Sequence, residues 1–170
     1  MDLRSFIRDV PDFPKPGILF KDIAPLLGDA KAFRFAIEQL RERYANQGIA
    51  KIAAIESRGF LFGAPLAERL GCGLVPVRKP GKLPFRTISQ TYDLEYGQDT
   101  LQIHEDALTA GERVLIVDDL LATGGTLSAA AQLVEKVGGR VHEIVTIIEL
   151  TFLKGRDRIR QYPYYGCLQF

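Results

Sequence analysis

Asp118 and Asp119 stand side by side directly after Val114-Leu115-Ile116-Val117, and beyond Leu120-Leu121 the chain reads Ala122-Thr123-Gly124-Gly125-Thr126. Ionised carboxylates accept hydrogen bonds and cannot donate them, so adjacent acids suit a ligand rich in hydroxyl groups. The loop that follows offers the opposite chemistry. Its glycines permit positive φ and close backbone approach, its two threonines carry hydroxyl donors, and a helix starting there adds unpaired N–H groups. Such a loop is suited to a phosphate. A ribose 5-phosphate with its phosphate on 122–126 and its diol on Asp118 and Asp119 satisfies both halves.

The elements that must hold these groups follow from the pattern on either side. Val114–Val117 has the composition of a strand buried on both faces of a parallel sheet, and open α/β sheets bind ligands beyond the carboxyl ends of their strands. Leu127, Ala130, Ala131, Val134 and Val137 mark one face of a helix, closed by Gly138-Gly139. Upstream, Ile52-Ala53-Ala54-Ile55 reads as a second buried strand and runs into Glu56-Ser57-Arg58-Gly59, where Ser57 suits the N-cap of a helix through Leu70. An arginine at a helix start favours phosphate, and the same spacing equally fits a simple cap with a solvated arginine. Gly73–Val77 reads as a third strand leading into Arg78-Lys79-Pro80-Gly81-Lys82, a basic loop at the same end of the sheet or a solvated charge run.

The remaining segments frame this core. Residues 2–8 are expected to form a short helix, and Pro11, Pro14 and Pro16 force an extended, turning stretch. Ile18–Asp22 reads as an edge segment with Phe20 packed inward. Phe33, Ile37, Leu40 and Tyr44 recur at helical spacing, predicting an amphipathic helix from Asp29 to about Asn46. Leu83–Gln98 alternates weakly, as in a hairpin, and is expected to be a mobile flap continuing to His104. Val141–Ile148 is the last core strand expected, Glu149–Ile159 reads as partly helical, and the aromatic tail from Tyr162 as packed. The alternation of strand and helix gives an α/β fold, a parallel twisted sheet with helices on both faces.

Composition narrows the function. With 170 residues the chain is expected to be one domain. A formal charge of +1 argues against bulk nucleic-acid binding. Cys72 and Cys167 have no metal-ligand spacing and are too few for a disulfide framework, which points to a reducing cytosol. No apolar run approaches membrane length, and the N-terminus has no signal-peptide pattern. A Walker motif is excluded because, around the Gly81-Lys82 pair, Pro76 replaces the first glycine and Leu83 the Ser or Thr. A dinucleotide fingerprint is excluded because two acids intervene between strand and glycines. A receiver domain places its acids near its start, whereas here more than a hundred residues precede them.

The segment V-L-I-V-D-D-L-L-A-T-G-G-T-L resembles the phosphoribosyl-pyrophosphate (PRPP) motif of type I phosphoribosyltransferases. Four further segments resemble the adenine phosphoribosyltransferases within that family: F-P-K-P-G-I-L-F-K-D-I from Phe13, E-S-R-G-F-L-F-G from Glu56, R-K-P-G-K-L-P from Arg78 and Y-D-L-E-Y-G from Tyr92. The likeness spans nearly the whole chain. It implies a single type I phosphoribosyltransferase-like domain over residues 1–170, with a flap near 81–104 and a base-binding hood near 13–25. The implied activity transfers ribose 5-phosphate from PRPP to N9 of adenine, giving AMP and pyrophosphate. Mg2+ is implied as cofactor, held mainly by PRPP and water rather than by a defined set of side chains.

Carried over by position, Ala122, Thr123, Gly124, Gly125 and Thr126 would hold the 5′-phosphate, and Asp118 and Asp119 would face the ribose. Arg58, Arg78, Lys79 and Lys82 would surround the pyrophosphate. Leu19 and Lys21 would read the adenine edge through main-chain groups, Phe20 would stack on the base, and Glu95 would be the flap glutamate near N7. A homodimer in the cytoplasm is the implied setting. Lys21 stands where the family commonly has arginine, and Phe85-Arg86 departs from its usual residues beside the flap turn. The alternatives are a PRPP- or nucleotide-sensing regulator on the same fold, for which a DNA-binding segment is expected and none is visible, and a transferase for another purine.

Overall fold

The computed structural model describes every residue of the chain except Glu95. The described residues form two compact units, Met1–Arg43 and Tyr44–Phe170.

The first unit holds a 3-10 turn over Leu3–Phe6, where residues 2–8 were expected to be helical, followed by strand β1 (Arg8–Pro11). β1 pairs antiparallel with β2 (Leu19–Asp22), in the register Val10↔Phe20 and Asp9↔Lys21. Pro11, at the start of the stretch expected to be extended and turning, closes β1. A proline is tolerated at the end of a two-stranded ribbon because its missing N–H falls outside the ladder. Helix α1 (Ala24–Gly28) leads into α2 (Ala30–Tyr44), whose entry is capped by Asp29 Oδ1 accepting from the N–H groups of Lys31 at 3.0 Å and Ala32 at 2.8 Å.

The second unit is built on five parallel strands in the order β4 (Gly73–Val77), β3 (Lys51–Ile55), β7 (Arg113–Leu121), β8 (Arg140–Glu149), β9 (Tyr164–Gln169). One face buries Ala53, Val75, Ile116 and Ile144 against Leu127, Ala130 and Val134 of α4 (Gly125–Lys136). On the opposite face lies α3 (Arg58–Leu70), brought so close that a Cβ on Gly63 would reach the Ala54 side chain at 2.6 Å, and one on Gly59 the Val117 carbonyl at 2.8 Å. The aliphatic strand runs and the small residues of α3 thus set where the carboxyl end of β7 stands.

The hairpin of β5 (Thr87–Asp93) and β6 (Gln98–His104) packs beside α4 with Leu101 and Ile103 fully buried. Within the flap expected over 81–104, β6 is anchored by Leu101 and Ile103, whereas Ser89, Thr91 and Asp93 of β5 are exposed. Phe85 and Arg86 secure the hairpin base. The Phe85 N–H donates to His104 Nε2 at 3.3 Å, and Arg86 Nε pairs with Glu105 at 2.7 Å. The tail is a full strand, because β9 pairs with β8 from Ile144↔Tyr164 to Glu149↔Gln169.

Candidate active site

Asp118 and Asp119 do not follow the central strand, as the end of the apolar run suggested; they lie within it. β7 keeps pairing with β8 through Asp118↔Thr146, Leu120↔Ile148 and Leu121↔Glu149, since β8 extends equally far. The consequence is depth. Asp119 is only 5 % exposed, where both acids were expected at a solvent-facing crevice. A buried carboxylate needs a partner, and Arg58 at the start of α3 supplies it with Nε 2.6 Å from Asp119 Oδ2. Asp118 Oδ1 accepts the Asp119 N–H at 2.8 Å. Burial, and then the adjacent Asp119 charge, push the Asp118 carboxyl well above the usual carboxylate range.

Two neighbouring cavities share Arg58, both aspartates and Thr126. One, of about 360 Å³, extends toward Ser57, Lys79 and Tyr92, and the other, of about 170 Å³, extends over Ala122, Thr123, Gly124 and Gly125. Gly124 has φ +86° and caps α4, so the loop needs a glycine there. Beneath it lies the 3-10 turn Gly155–Arg158, whose Gly155 carbonyl occupies the place a Cβ on Gly124 would take, with Arg158 Cβ 3.1 Å from it. The loop is legible in the sequence and this support is not, because the two segments are about thirty residues apart and no pattern links them.

Ser57 occupies the cap position of α3 without making a side-chain cap hydrogen bond, contrary to expectation. Its hydroxyl is therefore not spent on the helix. Glu56, preceding it, is an organising residue that the pattern did not reveal. Its carboxylate accepts Lys82 Nζ at 2.7 Å and the Lys79 N–H, and lies 3.8 Å from Arg78 Nε. Burial acts to raise its pKa, but the Lys82 and Lys79 hydrogen bonds and the Lys82 and Arg78 charges outweigh it and hold the carboxyl below its ordinary value. The basic loop is thus gathered onto one acid. Main-chain hydrogen bonds between Arg78 and Gln102, at 3.0 and 2.7 Å, fix it to β6.

In the first unit, Leu19, Phe20 and Lys21 form most of β2. Phe20 meets Phe13 edge to face at 5.0 Å, and Lys21 Nζ is held by Asp9 at 2.6 Å. Among the described residues β2 pairs only with β1. Glu95 lies outside the described residues.

The phosphoribosyl transferase domain model matches residues 23–168. Adenine phosphoribosyltransferase of Chloroflexus aurantiacus is 58% identical over 99% of this chain and 98% of its own. That of Solidesulfovibrio magneticus is 59% identical over 99% of both chains. This chain belongs to the adenine phosphoribosyltransferase family. Among solved structures, the Thermoanaerobacter pseudethanolicus enzyme is 57% identical with a TM-score of 0.96, covering 99% of this chain and 98% of that one. The Saccharomyces cerevisiae enzyme, crystallised with adenine and an imino-altritol bisphosphate, is 42% identical with a TM-score of 0.93, over 98% and 97%. The parallel five-stranded sheet is the type I phosphoribosyltransferase fold these proteins share. A family of transferases also answers the alternative of a non-catalytic sensor in favour of an enzyme.

Proposed function

We propose that this chain transfers the 5-phosphoribosyl group of PRPP to N9 of adenine, forming AMP and releasing pyrophosphate, a step of purine salvage. The observation that carries it is the pair of cavities joined at Arg58, Asp118, Asp119 and Thr126, with acceptors at the junction, a phosphate loop on one side and cations on the other. Ala122–Thr126 receive the 5′-phosphate, Asp118 faces the ribose diol, and Arg58, Arg78, Lys79 and Lys82 surround the pyrophosphate.

The bond that breaks joins C1′ to pyrophosphate, and positive charge develops on the ribose as it lengthens. Fixed carboxylates beside the ring stabilise that charge without reorganising, and cations at the other end stabilise the departing anion. Asp119 acts chiefly by holding Arg58 in place, since its carboxylate is buried on that guanidinium. Among the described residues no cluster of three or more His, Cys, Asp and Glu could cage a metal. Mg2+, the cofactor that the family resemblance implies, commonly binds through one or two carboxylates and substrate phosphates. Asp118, which lines both cavities, is the side chain that would reach such an ion, directly or through water. Mg2+ would supply charge neutralisation at the phosphates when bound.

Adenine is read by main-chain groups at Leu19 and Lys21 with Phe20 over the ring. The Lys21 side chain is already committed to Asp9, which supports a main-chain reading and makes the exchange of arginine for lysine of little consequence. Glu95 is assigned the N7 contact by the family resemblance, and Glu95→Gln is expected to lower kcat by about two decades with PRPP binding little changed. Residues 1–170 act as one catalytic domain, as a homodimer in the cytoplasm. No helix among the described residues is long and apolar enough to cross a membrane. Incubating the protein with adenine, PRPP and Mg2+ and following AMP tests the reading. AMP and pyrophosphate are expected in equal amounts, and their absence overturns it.

A further inference from the structure

Asp99 takes no part in the chemistry above and does not line the larger cavity, yet it touches two groups that do. It sits on β6 directly across the hairpin from Tyr92 of β5. Its Oδ1 accepts the Thr100 N–H at 2.8 Å, which fixes the plane of the carboxylate. Its Oδ2 receives both the Lys79 ammonium and, at 3.3 Å, the Tyr92 hydroxyl. With its proton given to Asp99, the Tyr92 oxygen accepts Thr126 Oγ1 at 3.3 Å. A continuous path Lys79–Asp99–Tyr92–Thr126 therefore joins the basic loop to the phosphate loop, and three of its four members line the cavity.

We propose that Asp99 is a positioning residue for PRPP, holding Lys79 at the pyrophosphate end of the site. The inference rests on the reading of these cavities as the PRPP site. Lysine is a point charge on a flexible stem, and its aim is lost when nothing anchors it. The Lys79 side chain is 41 % exposed, so packing does not fix it, whereas the Asp99 side chain is 26 % exposed and held by its own strand. A carboxylate near a polyanion opposes binding if it faces the ligand. Here it stands behind the ammonium and is compensated by it, so positioning outweighs repulsion.

The test compares wild type, Asp99→Asn, Asp99→Glu, Lys79→Gln and the double variant Asp99→Asn/Lys79→Gln, measuring Mg-PRPP affinity by calorimetry and KM for each substrate. In Asp99→Asn, PRPP affinity is expected to fall roughly three- to tenfold, the range for residues coupled in one ion-pair network. KM for adenine should stay within about twofold, and Asp99→Glu should recover part of the loss. In the Lys79→Gln background Asp99→Asn should weaken PRPP by less than in the wild type, because the group it positions is gone. Unchanged or tighter PRPP binding in Asp99→Asn overturns the proposal, as do additive effects with Lys79→Gln or an equal rise in both KM values. A wild-type protein that binds no PRPP defeats the underlying reading instead.

Discussion

Gly124→Ala separates the phosphate loop's geometry from its chemistry. Gly124 has φ +86°, and an alanine there pays the left-handed cost of about 1–2 kcal/mol. Its methyl would also collide with the Gly155 carbonyl and sit 3.1 Å from Arg158 Cβ. Overpacking of this kind adds about 1–3 kcal/mol. Gly111 provides a control, with φ +81° and nothing within 4 Å of an added Cβ, so Gly111→Ala carries the backbone term alone. For a chain of this size each kcal/mol moves Tm by about 2–4 °C. Gly124→Ala should therefore melt about 4–20 °C below wild type, and Gly111→Ala only about 2–8 °C below. Relief of the collision moves the loop off the turn beneath it, so Mg-PRPP affinity should drop at least about tenfold in Gly124→Ala and stay unchanged in Gly111→Ala. Calorimetry on both variants supplies both quantities. Equal melting temperatures together with wild-type PRPP affinity in Gly124→Ala would refute the claim that Gly155 and Arg158 buttress a phosphate site.

Other consequences concern charge. Asp118 has its pKa raised in the fold, so its contribution to stability is present below the ordinary value of 3.8 and is lost as pH rises through the raised value. Asp118→Asn should therefore melt higher than wild type at neutral pH and match it in acid, while turnover falls by about two decades; a lower Tm at neutral pH contradicts the burial argument. Glu56 behaves oppositely, with stability present above its ordinary 4.5 and lost as pH falls through its lowered value. Glu56→Gln should thus be destabilised at neutral pH and not in acid, with KM for PRPP raised as Lys82 loses its anchor; an unchanged KM contradicts that role. Lys21→Ala should keep the preference for adenine over hypoxanthine in competition assays, because its ammonium serves Asp9.

What the sequence made legible follows the range of the interactions. The core strands at Ile52–Ile55 and Val114–Val117 and the helices after them were readable because aliphatic runs and helical spacing are local signals. The two acids and the glycine loop were readable because residue type alone restricts their chemistry. The strand β9 was not, since Tyr164–Gln169 includes a glycine and a cysteine and gains its order only by pairing with β8. The extension of β7 through its acids was hidden for the same reason. The partners of Glu56 and Asp99 were not readable, since only the fold brings Glu56 to Lys82 across 26 residues of chain. The phosphate loop was visible; the groups that hold its surroundings in place were not.

Base preference tests the central claim most directly. Adenine offers a donor at N6 and an acceptor at N1, whereas hypoxanthine and guanine reverse both, so main-chain groups matched to adenine leave two polar atoms unsatisfied with either rival. Each such mismatch costs about 1–3 kcal/mol, and sites built on hydrogen bonds reject the wrong partner by roughly 10⁴-fold. Measuring kcat/KM for adenine, hypoxanthine and guanine side by side at saturating Mg-PRPP should give adenine an advantage of about that size. Comparable values for the three bases would contradict adenine recognition by the main chain of residues 19–21.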